Sequence, residues 1–177
     1  MGRYGREGLG MSRTAEGNAG GVVVPVVRLV AVTDGPDAEG WRQALAPELV
    51  VEHGVEAIAE AAGDGGPWAL VCAGAGLGAA LRAAERAARP PVHVLLWLGS
   101  RGPGEGVGGE VSGQFPCPVT ALVSAEVDRG RAVVPAWRGL TEGPFTVRIL
   151  PAACPLPGAC DQAGAQVIKE ELRVWPA

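Results

Sequence analysis

The sequence has little of what nucleic-acid-binding and membrane proteins need. It contains no dense run of Lys and Arg, and its formal net charge is −4 over 177 residues. Binding to nucleic acid depends on clustered positive charge, so DNA and RNA are not expected partners. No run reaches the roughly 20 apolar residues that a membrane-spanning helix requires. The apolar stretch 22–32 is interrupted by Pro25 and Arg28 and lacks the layout of a signal peptide.

Patterns typical of metal sites and disulfides are also missing. The four cysteines are Cys72, Cys117, Cys154 and Cys160, and they form no Cys-x-x-Cys pair. The two histidines, His53 and His93, are not spaced as zinc ligands. Disulfides are rare in the cytosol, so this usage predicts reduced thiols in a cytoplasmic protein. We expect no metal and no other cofactor.

Composition and patterning predict one folded domain after a flexible start. Apolar residues make up 47% of the chain, which is enough to form a hydrophobic core. Residues 1–21 are rich in Gly, Arg and Ser and lack apolar periodicity, so we expect a flexible segment in which Met11 is an alternative start. Residues 22–177 are expected to form a single domain.

From residue 27 onward, short apolar runs alternate with segments of helical periodicity. The runs that predict strands are 27–32, 49–51, 68–71, 92–98, 119–123 and 145–150. Helices are predicted after Asp37, through Val55, Ile58, Ala59 and Ala62, at 77–89, through Trp137 and at 161–174. Strands that alternate with helices predict an α/β fold, with a mostly parallel sheet and helices on both of its faces.

In such sheets ligands bind beyond the carboxyl ends of the strands, which selects the candidate site residues. The catalytic candidates are Asp34, Glu126, Asp128 and Cys154, and the candidates for substrate binding are Cys72, Ala73, Gly74, Ala75, Ser100 and Arg101. Two converging carboxylates can act as acid and base if burial separates their pKa values. The alternative is that these acids cap helices and face solvent in loops. For the cysteines the alternative is a buried, inert thiol.

The segment from Trp68 to Arg89 reads as a strand, a turn of small residues and a helix. Its turn is Cys72-Ala73-Gly74-Ala75-Gly76, the shape of a nucleophile elbow, with Gly74 where a serine would stand. Gly74, Gly76 and Ala79 also fit a dinucleotide-binding fingerprint, in which Ser100 and Arg101 would meet a 2′-phosphate. That fingerprint opens the first βαβ unit, whereas two predicted strands precede it here. An NADP-binding protein is therefore the third of our hypotheses.

Several other segments are similar to one enzyme family. Residues 117–123 are similar to the family's strand before the acid loop, and residues 137–148 to its next helix and strand. Residues 28–30 and 44–47 are similar to its first strand and first helix. Residues 98–103 are similar to the segment after its elbow helix. In these segments the chain resembles the type II thioesterases of polyketide and nonribosomal peptide pathways. Those proteins are α/β-hydrolases that remove acyl groups from carrier proteins. The resemblance spans about residues 27–174 and implies a trimmed, three-layer α/β-hydrolase-like fold.

The departures from this family fall on its functional positions. The family's elbow reads Gly-His-Ser-Met-Gly, and this chain has no serine there. The family's His lies in a Gly-Gly-His motif, where this chain has Ala152-Ala153-Cys154, and the position of the family's acid falls near Val127. In the oxyanion segment 33–37, a carboxylate at Asp34 would repel a developing oxyanion. The resemblance therefore implies the hydrolase frame without serine hydrolysis.

The family's helical lid is also cut down, to residues 102–114, so its acyl chamber is not expected in the usual form. We predict a non-hydrolytic protein of natural-product biosynthesis that binds a hydrophobic polyketide intermediate and works as a cyclase or as a dehydrating or rearranging enzyme. The alternative is a non-catalytic pseudo-thioesterase that binds an acyl carrier protein or another pathway enzyme. Loss of a lid exposes apolar surface, which a partner or a second copy of the chain would cover.

Overall fold

Short runs of Val, Leu, Ile and Ala form the strands of one parallel sheet. The computed structural model describes residues 27–33, 38–98, 114–124, 134–135, 137–150 and 162–173. The strands are β1 (Arg28–Val32), β2 (Val50–His53), β3 (Trp68–Ala73), β4 (His93–Leu98), β5 (Val119–Ser124) and β6 (Phe145–Leu150). Four α-helices have described bounds: α1 (Ala38–Leu45), α2 (Glu56–Gly63), α3 (Leu77–Glu85) and α4 (Gln162–Arg173). Val134, Pro135 and Trp137 are also helical, and a 3₁₀ turn follows at Arg138–Leu140. None of these helices is long and apolar enough to cross a membrane.

The strand order is β2-β1-β3-β4-β5-β6, and every neighbouring pair is parallel. The prediction of an α/β fold with six parallel strands is confirmed. The order places β1 beside β3, with Val32 in register with Cys72. From β1 the chain moves outward to β2 on one side, and from β3 it moves outward to β4 on the other. The sheet therefore has its topological switch point between β1 and β3.

Alternate residues of each strand pack into two separate hydrophobic cores, one on each face of the sheet. Leu70, Leu96 and Ala121 lie in the core under α2 and α3. Val71 and Leu122 lie in the opposite core, under α1 and α4. The period of two along a strand requires this division, because successive side chains point to opposite faces. Strands buried on both faces read as continuous apolar runs, which is how the sequence marks β3 and β4.

The bounds of several elements differ from the sequence prediction. β3 continues through Cys72 and Ala73, which the sequence assigned to the turn, and α3 ends at Glu85 rather than at Arg89. Pro90 and Pro91 follow that helix, and a residue before proline is disfavoured in the helical conformation. In α2 the buried positions are Ala57, Ile58, Ala61 and Ala62. Ala59 is exposed, because the inward stripe of α2 includes Ala57 and Ala61 instead.

Candidate functional site

The switch point between β1 and β3 is where the fold opens a crevice. The helix after β1 packs on one face of the sheet and the helix after β3 packs on the other. The two chain segments therefore diverge at the carboxyl ends of these strands, and ligands of parallel sheets bind in such a gap. The described residues at this edge are Thr33, after β1, and Gly74, Ala75 and Gly76, after β3.

The turn after β3 has the geometry of an elbow. Ala73 is still extended, with φ of −148°, and Gly74–Gly76 form one turn of 3₁₀ helix before α3 begins at Leu77. Gly74 has φ of +65°, in the left-handed region that residues with a Cβ seldom adopt. A nucleophile elbow holds its serine on a sharp, strained turn between strand and helix. Here glycine occupies that position and removes the strain along with the hydroxyl.

Gly76 brings the turn close to the neighbouring strand. A Cβ placed on Gly76 would lie 3.1 Å from Cγ1 of Val32, the last residue of β1. That distance is shorter than ordinary van der Waals contact between carbon atoms. The small residue at this position therefore lets the start of α3 pack directly against β1, across the switch point.

The residues of the turn differ in how accessible they are to a ligand. The Cys72 side chain is fully buried in the core under α2 and α3, and its Sγ lies 3.8 Å from the carbonyl oxygen of Leu95. Burial raises the pKa of the Cys72 thiol, which agrees with the alternative of an inert thiol. Ala73 is buried in the opposite core, whereas Gly74 is half-buried and Ala75 is exposed. A ligand on this turn therefore meets Gly74 and Ala75, with Cys72 and Ala73 beneath them.

Two tryptophans support this edge from the side of α1. Trp97 is in register with Ala73, and its ring meets that of Trp41 edge to face, with centroids 6.1 Å apart. Trp41 and Trp97 expose 1% and 3% of their surface, so they belong to the core rather than to the wall of an open groove. Aromatic pairs in this arrangement add to the stability that their buried area provides.

The remaining predicted site residues lie outside the described residues. They are Asp34, Ser100, Arg101, Glu126, Asp128 and Cys154. Beside the turn, the described residues Thr33, Gly74, Ala75 and Gly76 include no carboxylate, imidazole or thiol. Across the described ranges, no three His, Cys, Asp or Glu side chains come together as a metal site would require.

A buried polar cluster missed by the sequence prediction lies at the other end of the sheet. Thr120 of β5 donates a hydrogen bond of 2.8 Å to Oε2 of Glu171 in α4, and its Oγ1 lies 2.9 Å from Nε2 of His93. Because Thr120 gives its single hydroxyl proton to Glu171, Oγ1 accepts from His93, which carries its proton on Nε2. Glu171 also pairs with Arg148 of β6. The cluster joins three strands to α4.

His93 in this cluster is a packed core residue at the start of β4. It exposes 1% of its surface, and burial lowers its pKa to about 4 against the opposing effect of the Glu171 carboxylate. His93 begins β4, so it lies at the amino-terminal edge, away from the crevice. One signal for the cluster was present in the sequence: Glu171 follows Ile168 by three residues and so falls on the inward stripe of α4.

Solved structures that share this fold include thioesterases. No protein-family model matches the sequence, and no curated protein is significantly similar to it. Among solved structures, the RedJ thioesterase of the prodiginine pathway in Streptomyces coelicolor aligns with a TM-score of 0.59 and 17% identity, over 83% of this chain and 85% of RedJ. The thioesterase domain SrfTE, described for the cyclisation of the lipopeptide antibiotic surfactin, aligns with a TM-score of 0.57 and 16% identity, over 82% of this chain and 90% of SrfTE.

A third similar structure is ClbQ from the colibactin NRPS/PKS pathway, with a TM-score of 0.53 and 14% identity over 83% of this chain and 95% of ClbQ. At these identities the likeness establishes the fold alone. The chain has the thioesterase-like α/β-hydrolase fold that the sequence resemblance implied. RedJ and ClbQ come from natural-product pathways, whereas human thioesterase 2 aligns with a TM-score of 0.55 and 15% identity over 83% of this chain, so fold by itself does not determine function.

Proposed function

We propose that this protein acts in the biosynthesis of a polyketide or peptide natural product and binds a pathway intermediate without hydrolysing it. The observation that carries the proposal is Gly74, which occupies the elbow position with φ of +65°. Hydrolysis through an acyl-enzyme needs a nucleophile activated by a base, and glycine supplies no nucleophile. The proposal is also supported by RedJ, a thioesterase from the prodiginine biosynthetic pathway, and by ClbQ from the colibactin NRPS/PKS pathway, which share this fold.

The proposed activity is a ring closure, dehydration or rearrangement of a hydrophobic polyketide intermediate. The intermediate would lie across the switch point against Gly74 and Ala75, where small residues allow close approach to the backbone. Holding a flexible chain in one reactive shape can supply much of a barrier reduction. SrfTE is described for a cyclisation on the same fold, which supports ring closure as one such reaction.

The proposed acid and base are carboxylates that follow β1 and β5. Asp34 and Asp128 are the preferred pair, with Glu126 beside Asp128 and Cys154 after β6 as further candidates. Ser100 and Arg101, which follow β4, would contact the oxygen-rich end of the intermediate. No cofactor enters this scheme, since proton transfer by positioned side chains needs none.

The first experiment tests the absence of hydrolysis. Wild type and Gly74→Ser are incubated with acyl-pantetheine thioesters, and intact-protein mass spectrometry records any covalent acyl adduct. We expect neither adduct nor free acid above background from either protein, because serine at position 74 would still lack its base. An acyl adduct on the wild type, or saturable release of free acid by it, would contradict the proposal.

The second experiment tests the carboxylates with polyketide chains of increasing length. Replacing Asp34 or Asp128 by Asn should lower turnover about 100-fold or more, the usual contribution of acid–base catalysis. Asp64→Asn is the matched control, because the exposed Asp64 follows α2 at the amino-terminal edge and pairs with Arg28. If both site variants turn over as fast as Asp64→Asn, the carboxylate assignment is wrong.

A second candidate function is a non-catalytic partner of an acyl carrier protein or of another pathway enzyme. It is favoured by one observation: the described residues beside the turn, Thr33 and Gly74–Gly76, include no carboxylate, imidazole or thiol. Calorimetric titration with acyl-loaded carrier protein separates the two functions. Binding without any change in the acyl chain supports the partner role, whereas a changed acyl chain supports the enzyme.

A further inference from the structure

The exposed large apolar residues of the described chain lie on the two edge strands of the sheet. They are Val50 on β2, and Val147 and Ile149 on β6. On β6 the two residues share one face with Phe145, because strand side chains alternate with a period of two. Ile149 is 56% exposed and Val147 is 42% exposed. β6 therefore presents an apolar stripe at the edge, where natural sheets usually place charge or proline to prevent pairing.

The hydrogen bonds between β5 and β6 determine which backbone groups of β6 point outward. The N–H of Val119 donates to the carbonyl of Pro144 at 3.0 Å, so Pro144 faces β5. Backbone direction alternates along a strand, so Thr146 and Arg148 also face β5. The N–H and C=O groups of Phe145, Val147 and Ile149 consequently point away from β5. Among the described residues, β6 pairs with β5 alone.

We infer that two copies of this chain associate through β6 in an antiparallel pair centred on Val147. In this register Val147 lies opposite Val147 of the second copy, and Phe145 lies opposite Ile149. The outward N–H and C=O groups of all three residues then find partners, since they meet as hydrogen-bonded pairs of an antiparallel ladder. A shift by one residue would place outward groups against the inward groups of Thr146 and Arg148.

Charge disfavours one of the neighbouring registers. A shift by two residues toward the carboxyl end would bring Arg148 opposite Arg148 of the second copy, and like charges in that position are destabilising. In the register centred on Val147, each Arg148 lies opposite Thr146. The guanidinium is also paired with Glu171 of its own chain, on the other face of the sheet. Aromatic and β-branched pairs, here Phe145 with Ile149, are favourable cross-strand neighbours.

The strand that pairs with this edge is therefore β6 of a second copy. In this register the apolar side chains meet each other, the outward N–H and C=O groups are paired, and no like charges lie opposite. The pair would continue the sheet across a two-fold axis, the commonest symmetry of protein dimers. It leaves the switch point free, because β6 is separated from β3 by two strands in the sheet order. This inference is independent of the proposed function.

Sedimentation equilibrium tests the dimer. Wild type should approach twice the 18.0 kDa of the chain as concentration rises from low to high micromolar. Val147→Lys should weaken the dimer about tenfold or more, because it sets two lysines opposite each other. Val50→Lys is the matched control, since Val50 is 49% exposed on the opposite edge strand, and it should leave the dimer unchanged. A monomeric wild type, or a Val147→Lys variant that dimerises like wild type, overturns the inference.

A cysteine pair tests the register and does not depend on how Val147→Lys folds. Val147→Cys should form a disulfide between copies under mild oxidation, because opposite residues of a ladder lie within the Cα separation that disulfides span. Ile149→Cys should not, because in this register the two Ile149 positions lie about 14 Å apart along the strands. Wild type is oxidised in parallel to account for the native cysteines. Cross-linking of Ile149→Cys, or its absence in Val147→Cys, overturns the register.

Discussion

Thr120 of β5 and Glu171 of α4 are 51 residues apart in sequence and joined by a buried hydrogen bond of 2.8 Å. Glu171 is 7% exposed, so its carboxylate depends on protein partners rather than on water. Those partners are the Thr120 hydroxyl and the Arg148 guanidinium. The position of the C-terminal helix on the sheet therefore rests on a polar contact as well as on its apolar stripe.

Removing this carboxylate should destabilise the fold. We expect Glu171→Ala to lower the free energy of unfolding by about 2 kcal/mol, because it leaves a buried hydroxyl without its acceptor. The loss is smaller than for a fully buried ion pair, since the Arg148 side chain is 49% exposed and can regain water. Urea unfolding followed by circular dichroism measures it. Glu170→Ala, one residue earlier and exposed, should change stability by no more than about 0.5 kcal/mol.

His93 should make the protein sensitive to acid. Its pKa is lowered from 6.5 to about 4 in the folded state, so the unfolded chain binds a proton first as the pH falls. Above pH 6.5, His93 does not lower the free energy of unfolding. The loss that it causes grows as the pH falls from 6.5 to 4, and it is constant below pH 4. The linkage between protonation and folding gives a total loss of about 3 kcal/mol in the free energy of unfolding. Unfolding at pH 7 and pH 4.5 should show a larger loss of stability in wild type than in His93→Gln, and equal losses in the two proteins would contradict this role of His93.

A side chain at position 76 should destabilise the fold, because it would press against Val32. In Gly76→Ala the new Cβ would meet Cγ1 of Val32 at 3.1 Å, so the Val32 side chain or the turn must give way by a few tenths of an ångström. We expect a loss of about 1 kcal/mol, the lower end of the cost of overpacking. Gly63→Ala is the matched control, because a Cβ there has no atom within 4 Å, and it should be neutral or stabilising. Equal stability of the two variants in urea titrations would show that the turn does not press on β1.

Cys72 should not react in the native protein. Its thiol is fully buried with a raised pKa, and alkylation requires the thiolate. After iodoacetamide treatment, peptide mass spectrometry should find Cys72 unmodified in buffer and modified in guanidinium chloride. Rapid labelling in buffer would mean that the core under α2 and α3 opens readily.

The fold was largely readable from local patterns. Apolar runs such as 145–150 predicted strands because strands buried in a parallel sheet need apolar side chains on both faces. Bounds shifted where tertiary contacts extend an element: β3 continues through Ala73 because Trp97 of β4 pairs with it. The strand order could not be read from periodicity, since it depends on which strands pair and not on where each one lies in the sequence.

The candidate site was predicted only in part. The strand, turn and helix around Gly74 were visible because small residues cluster there, and the structure confirms them. The burial of Cys72 was one of the alternatives drawn from the sequence, whereas the burial of Ala73 was missed, because β3 is longer than its apolar pattern suggested. The cluster of His93, Thr120 and Glu171 was also missed: the inward position of Glu171 was its one local signal, and the pairing of residues so far apart in sequence left none.

The left-handed backbone of Gly74 makes the absence of a side chain there hard to reverse. Any residue with a Cβ would incur about 1–2 kcal/mol of backbone strain in this conformation. Proteins often have only about 5–15 kcal/mol of total stability, so that strain is a real selective disadvantage until it is matched by a gain in function. A single change back to serine brings no such gain without a base. Mutation and selection would therefore be expected to keep glycine at this turn and to diversify the surrounding loops instead.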